Sequence, residues 1–310
     1  MKFLILNIIL LILLPIFFSC SEENVLLYHP EEENKPSEPI QKIWLLEHIN
    51  YTSDENLGMA VRNNITFSYT DNTWKLKSID SGSNSIIIVD YRNNEVVYSM
   101  KRQTELYTYY DSLLVRIKNE RAESVLHRTY RELISLGQPS RIKTQNDSSF
   151  FTYDGDGYLK RLERYNKSGD TTPTYWEEYA VANGNINEIF TSSNFRHAYI
   201  YDNTEHSRAA SFCYEMPLNT ISSIKGGCWL LSNLAFLYEY TGTKSKNNII
   251  RTIITKEGEE SIRYGDITYE YVLDKNDQVS SVKMLGFVNG MDIPDNYTTT
   301  FSYLEKEVKK

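Results

Sequence analysis

The chain has 310 residues, with 33 Lys and Arg against 41 Asp and Glu, a net charge of −8. That acidic balance excludes a nucleic-acid binder held mainly by phosphate contacts. A composition of 41% hydrophobic and 24% charged residues excludes a chain disordered throughout, and 24 Tyr with 12 Phe against 8 Pro favour strands over helices.

Met1-Lys2 is a minimal basic start, and Phe3 to Phe18 is almost wholly apolar, broken by Asn7 and Pro15. The run is shorter than the roughly 20 residues of a spanning helix and reads as a secretory signal. It ends Phe17-Phe18-Ser19-Cys20, where a small residue before Cys resembles the lipobox of bacterial lipoproteins. The resemblance implies cleavage before Cys20 and acylation of that cysteine, which makes the lipid bilayer a partner. Ser21-Glu22-Glu23 resembles the surface-export signal of Bacteroidetes lipoproteins. The address implied is the outer membrane, lipid-anchored and facing the cell exterior. Residues 1–19 are thus expected to be the signal peptide, and 20–40 the lipidated Cys and a flexible acidic tether. Residues 41–310 are expected to form a single β-hairpin-repeat domain. The tether carries six Glu and the prolines Pro30, Pro36 and Pro39, a composition that cannot bury a core.

Beyond the tether an aromatic-x-Tyr step recurs seven times: Phe67-x-Tyr69, Tyr107-x-Tyr109, Phe151-x-Tyr153, Tyr199-x-Tyr201, Tyr238-x-Tyr240, Tyr269-x-Tyr271 and Phe301-x-Tyr303. Residues two apart share one face of a strand. Most of these steps lead into a polar turn, such as Asp154-Gly155-Asp156-Gly157 or Asp274-Lys275-Asn276-Asp277, and then an apolar-x-x-apolar step, such as Leu159 with Leu162. Each unit reads as strand, tight turn, strand. Arg121 to Leu136 is compatible with a helix, but Tyr130, Gly137 and Ile142 repeat the hairpin spacing, so the strand is preferred.

Phe151-Thr152-Tyr153-Asp154-Gly155-Asp156-Gly157-Tyr158-Leu159-Lys160-Arg161-Leu162 resembles the YD repeat, Tyr-x-Tyr-Asp-x-x-Gly-x-Leu-x-x-Leu. Together with the lipobox, the chain resembles Bacteroidetes surface lipoproteins of unknown function with YD-type tandem β-hairpins, described as having a porin-like fold. The fold expected is all-β: a tandem antiparallel β-hairpin meander forming a strongly curved sheet or open barrel, water-soluble. A spanning barrel is disfavoured because charges interrupt the strands, as in Lys160-Arg161-Leu162-Glu163-Arg164.

Candidate chemistry is sparse. Cys213 and Cys228 bracket a stretch that breaks the repeat, and form either a disulfide, which an export compartment permits, or two buried thiols. No His pair has metal-ligand spacing, no phosphate loop or nucleophile elbow occurs, and neither metal nor cofactor is expected. His197 and His206 with Asp202 and Glu205 form the densest polar cluster. Trp176, at a repeat irregularity, and Trp229, in the insertion that breaks the repeat, are the candidate ligand contacts. The expected role is non-enzymatic, a ligand-binding or structural surface module. Its expected partner is a glycan or another envelope protein, and the chain a monomer. The alternative is a glycan-active hydrolase using paired carboxylates. Glu177 and Glu178 lie beside Trp176, but adjacent strand residues point to opposite faces and cannot themselves be the pair.

Overall fold

The computed structural model describes residues 40–52, 64–80, 86–133, 141–166, 170–211, 213, 237, 239–288, 290–293 and 297–309. The chain divides into two compact units, one of Lys42–Lys306 and one of Met1–Gln41 with Glu307–Lys310. The first unit holds the sheet described below.

Strands run in chain order as β1 (Ile40–Thr52), β2 (Asn64–Tyr69), β3 (Leu76–Asp80), β4 (Ile86–Arg92), β5 (Glu95–Gln103), β6 (Tyr107–Lys118), β7 (Arg121–Leu133) and β8 (Arg141–Tyr153). They continue as β9 (Leu159–Tyr165), β10 (Tyr175–Ala182), β11 (Asn185–Thr191), β12 (Phe195–Glu205) and β13 (Asn247–Lys256). The last are β14 (Gly265–Leu273), β15 (Val279–Val288), β16 (Met291–Asp292) and β17 (Thr298–Lys309). Each strand from β1 to β15 pairs antiparallel with the next, β15 pairs with β17, and β17 pairs with β1. The sheet is a closed barrel of 16 strands, with the two-residue β16 laid on the same edge of β15 as β17. Residues 208–211 form one short helical segment.

The closure corrects the expectation of a strongly curved sheet or open barrel. The β17–β1 pairing joins the two ends of the meander, so no strand is left with a free edge. Residues 121–133 form β7, as the hairpin spacing required, not a helix.

Alternation sorts the side chains. Ile65 and Phe67 on β2, Ile87 and Val89 on β4, Tyr98 and Met100 on β5, and Ile267 and Tyr269 on β14 point inward and are buried. The outer wall carries charge in mid-strand. Thr152, Arg161, Glu178, Phe190, Arg196 and Thr255 are successive cross-strand neighbours on β8 to β13. Arg161 meets both Glu163 and Glu178 there, and Arg251 meets Asp266 at 2.7 Å. The outer wall also exposes apolar side chains, among them Ile86, Ile88, Phe150, Phe190 and Ile200.

The repeated tyrosines have a shared job. Each faces inward near the same end of its strand, at a tight turn for Tyr69, Tyr153 and Tyr271, and its hydroxyl donates to a backbone carbonyl on the preceding strand in space. Tyr69 donates to Leu46 at 2.7 Å, Tyr153 to Ala122 at 2.9 Å and Tyr303 to Val279 at 2.7 Å. Tyr201 and Tyr271 donate likewise to Ile186 and Ile249. The ladder shifts register at several of these tyrosines, between Ser68 and Tyr69, Thr152 and Tyr153, and Ile200 and Tyr201. Burial pushes the hydroxyls of Tyr69, Tyr153, Tyr201 and Tyr303 up to about 12, so they remain donors. The adjoining turns are closed by the residues that the sequence placed there. Asp154 Oδ1 accepts from the N–H of Asp156 and of Tyr158, and Asp274 Oδ1 from those of Asn276 and Gln278. Asn183 and Gly184, with φ of 56° and 80°, make the two-residue turn between β10 and β11.

All these locks lie at one end of the barrel, here called the turn end. The segment between β12 and β13, residues 206–246, leaves from that end, and its described residues pack into the interior. Ala209, Ala210, Cys213 and Leu237 are buried in the same core as Ile49, Phe67 and Met284. Arg208 pairs with Glu239 at 2.8 Å. The segment is tied to neighbouring turns by Thr243 N–H to Gly157 O at 2.8 Å and Lys246 N–H to Gly184 O at 3.0 Å. A barrel of this strand number is too wide for its own side chains to fill, and among the described residues of this segment Ala209, Ala210, Cys213 and Leu237 add to the core.

Replacing Tyr303 or Tyr69 by Phe is expected to lower stability by about 1–2 kcal/mol, because a buried carbonyl loses its donor. The same change at Tyr109, which donates to no group among the described residues, is expected to stay within about 0.5 kcal/mol. Urea unfolding midpoints of the three variants check this, and equal losses would contradict the lock.

Candidate functional site

The other end, the loop end, is built differently. Its connections include the longer stretches 166–174 and 257–264. The inner wall there, over β5 to β10, carries ionisable and aromatic side chains where the turn end carries aliphatic ones. Arg102, Tyr109 and Arg131 are direct cross-strand neighbours on β5, β6 and β7. Two residues further along β6 comes Asp111, then Leu113, whose partner on β7 is His127, whose partner on β8 is Asp147. Next on this face are Arg164 and its partner Tyr175, then Glu177.

His127 bridges two carboxylates. Its Nε2 lies 2.7 Å from Asp111 Oδ1 and its Nδ1 3.2 Å from Asp147 Oδ1. The three side chains are 12%, 1% and 8% exposed, so the ion triad is shielded from solvent. Burial by itself would lower the His127 pKa, but the two carboxylates outweigh it and hold the imidazolium to about 9. Asp147 is pushed up by burial and more strongly down by His127, a net lowering. On β10, Tyr175 donates to Glu177 Oε1 at 2.7 Å and Tyr179 to Glu177 Oε2. Burial and then the Glu177 charge raise the Tyr175 hydroxyl far above its usual range, which keeps it a donor.

The rim of this wall is cationic and aromatic. The Arg102 guanidinium lies over the Tyr109 ring, 5.5 Å from its centroid, and that of Arg131 over the Tyr107 ring at 5.4 Å. The two rings are 6.0 Å apart. All four side chains are half-buried. A separate groove of about 460 Å³ on the outer wall is lined by Ile86, Ile88, Lys101, Tyr110 and Tyr130, among others. Its lining is largely apolar, with Lys101 over the Tyr110 ring.

The sequence-derived positions fall as follows. Glu177 points inward and Glu178 outward, where it pairs with Arg161. Trp176 is on the outer wall beneath the Arg161 guanidinium, 5.0 Å from its centroid. Cys213 is fully buried, burial pushes its thiol up to about 12, and its side chain meets Thr299. Cys20, Ser21, Glu22, Glu23, Cys228 and Trp229 lie outside the described residues. His197 and His206 do not share a site with Asp202, whose carboxylate caps Thr204. Both are half-buried instead, and desolvation lowers each to about 4. Among the described residues no group of His, Cys, Asp and Glu is arranged to hold a metal. The His127 triad and the arginine rim went unseen in the sequence, since their members are up to 36 residues apart in pairs such as Asp111 and Asp147.

The architecture is shared with solved structures. A crystal structure of a porin-like protein from Bacteroides uniformis superposes with a TM-score of 0.50 at 14% identity, covering 87% of this chain and 98% of that one. A porin-like protein from Bacteroides vulgatus superposes with a TM-score of 0.51 at 12% identity, covering 84% of this chain and 98% of that one. At these identities the likeness establishes a porin-like barrel fold and nothing finer. No family model and no curated protein matches the chain.

The histidines set opposite pH slopes. His127 has a folded pKa above the unfolded value near 6.5, so its contribution is complete below that pH and is lost as pH rises through about 9. His197 and His206 have folded values near 4, so the unfolded chain gains protons first and stability falls as pH drops below about 6.5. Thermal unfolding is expected to give its highest midpoint near pH 6.5, and His127→Gln is expected to flatten the alkaline limb. A midpoint still climbing at pH 9 would contradict the triad.

Proposed function

We propose that this chain is a lipid-anchored protein of the bacterial cell envelope whose barrel binds a small ligand at its loop end and performs no chemistry on it. The observation that carries the reading is the contrast between the two ends of the inner wall. The turn end carries the tyrosine locks and the described residues of the 206–246 segment, while the loop end presents half-buried Arg, Tyr and Glu side chains. Polar groups placed on a concave wall with aromatic neighbours are the usual make-up of a ligand site.

The address rests on Cys20 with Ser21-Glu22-Glu23, and on the outer wall. Mid-strand ion pairs such as Arg251–Asp266 are costly in hydrocarbon. The reading is therefore that acyl chains on Cys20 hold the protein at the outer membrane, with the barrel wall in water.

The alternative, a glycan hydrolase, is less favoured because the inward carboxylates are already engaged. Tyr175 and Tyr179 hold Glu177, and His127 holds Asp111 and Asp147. Labelled palmitate is expected to enter the wild type and not Cys20→Ala, with equal labelling contradicting the anchor. A glycan and small-acid screen is expected to return saturable binding without turnover. Turnover abolished by Glu177→Gln would overturn the non-enzymatic reading.

A further inference from the structure

Among the seven aromatic-x-Tyr steps, Tyr107-x-Tyr109 is the odd one. Five of the others place a tyrosine at the turn end, with its hydroxyl on a backbone carbonyl. Tyr240, within the 206–246 segment, interacts with Tyr91. Tyr109 instead sits at the start of β6, nine residues before that strand ends at Lys118, and so at the opposite end of the barrel. The inward residue that occupies the lock position on β6 is Ile117, which packs on the core without a hydroxyl. Tyr107 and Tyr109 hold no barrel strands together by hydrogen bonding, and their hydroxyls have no partner among the described residues.

The arginines beside them are equally unpaired. Seven other arginines, including Arg161, Arg196, Arg208 and Arg251, each face a carboxylate. Arg102 and Arg131 face none among the described residues. The Arg131 Nε is shut off from solvent and has no hydrogen-bond partner among the described residues. A buried donor left without an acceptor is unfavourable unless something else meets it. The carboxylate nearest along the inner face, Asp111, is held by His127. Two like charges therefore stand two strands apart, roughly 10 Å between Cα atoms, in a chain of net charge −8.

A guanidinium lying over a ring keeps its N–H edge free, and that edge matches the oxygens of a carboxylate or sulfate. We propose that Arg102, Tyr107, Tyr109 and Arg131 form a binding site for an oxyanion, the carboxylate or sulfate group of a small organic ligand. Both guanidinium groups and both phenol hydroxyls donate to it. The site deepens the proposed function and rests on the reading that the loop end receives a ligand.

Titration calorimetry of the purified protein at low ionic strength tests it, with inorganic sulfate, galacturonate and glucose as probes. Sulfate or galacturonate is expected to bind with a Kd at or below about 1 mM, glucose is not, and added NaCl is expected to weaken binding. Binding of sulfate alone identifies a tetrahedral oxyanion and binding of galacturonate alone a carboxylate, each supporting the site. Arg102→Gln and Arg131→Gln are each expected to lose about 10-fold or more, as for one charged hydrogen bond. Tyr109→Phe, which removes only a hydroxyl outside the lock network, is expected to lose about threefold with an unchanged unfolding midpoint. It decides the matter if the arginine variants fold poorly. Absence of binding by both anions, or binding that Arg131→Gln and Tyr109→Phe leave unchanged, overturns the proposal. Glucose bound equally by the wild type and Arg131→Gln would overturn the oxyanion site while leaving a ligand-binding barrel intact.

Discussion

Closure of the sheet is the constraint from which the rest follows. Pairing β17 with β1 removes both free edges, and with them the unpaired N–H and C=O groups that an exposed edge offers to other chains. It also encloses an interior wider than inward side chains from sixteen strands can fill. The molecule meets that demand unevenly. At the turn end the 206–246 segment brings Ala209, Ala210, Cys213 and Leu237 into the core, and tyrosine hydroxyls pin adjacent strands. At the loop end the wall is furnished with charge.

That division orders the electrostatics. On the outer wall, ion pairs such as Arg161–Glu163 are partly exposed, and in water screening leaves such pairs worth little. Inside, the two carboxylates of the His127 triad outweigh the cost of burial, so its proton is held to about 9 and its loss is felt in stability. Arg102 and Arg131 stand at the rim between these regimes, stacked on rings and paired with no carboxylate among the described residues.

Much of the fold was legible in the sequence because its causes are local. Period-two alternation gave the strands, Asp154 and Asp274 gave the turns they close, and the aromatic-x-Tyr step marked inward-facing tyrosines, while the hydroxyl locks that Tyr69, Tyr153, Tyr201, Tyr271 and Tyr303 make were not foreseen. Closure was not legible, since it pairs the first strand with the last and leaves no mark in any short window. The mid-strand charges were read against a membrane-spanning barrel, and they carry no information on whether the sheet closes. Tyr109 looked like another copy of the repeat. Its distance from the Asn119-Glu120 turn was the available signal that it lies at the other end. The His127 triad and the arginine rim are assembled by cross-strand register, which no local spacing encodes.

Hydrogen exchange at the amides of β1 and β17 tests closure most directly. In a closed barrel both alternating sets of amides in each strand are hydrogen-bonded, so Ile49 and Phe301 and their neighbours should be protected to the degree seen in β6. Rapid exchange of one alternating set in β1 or β17, the signature of a free edge, would contradict the barrel.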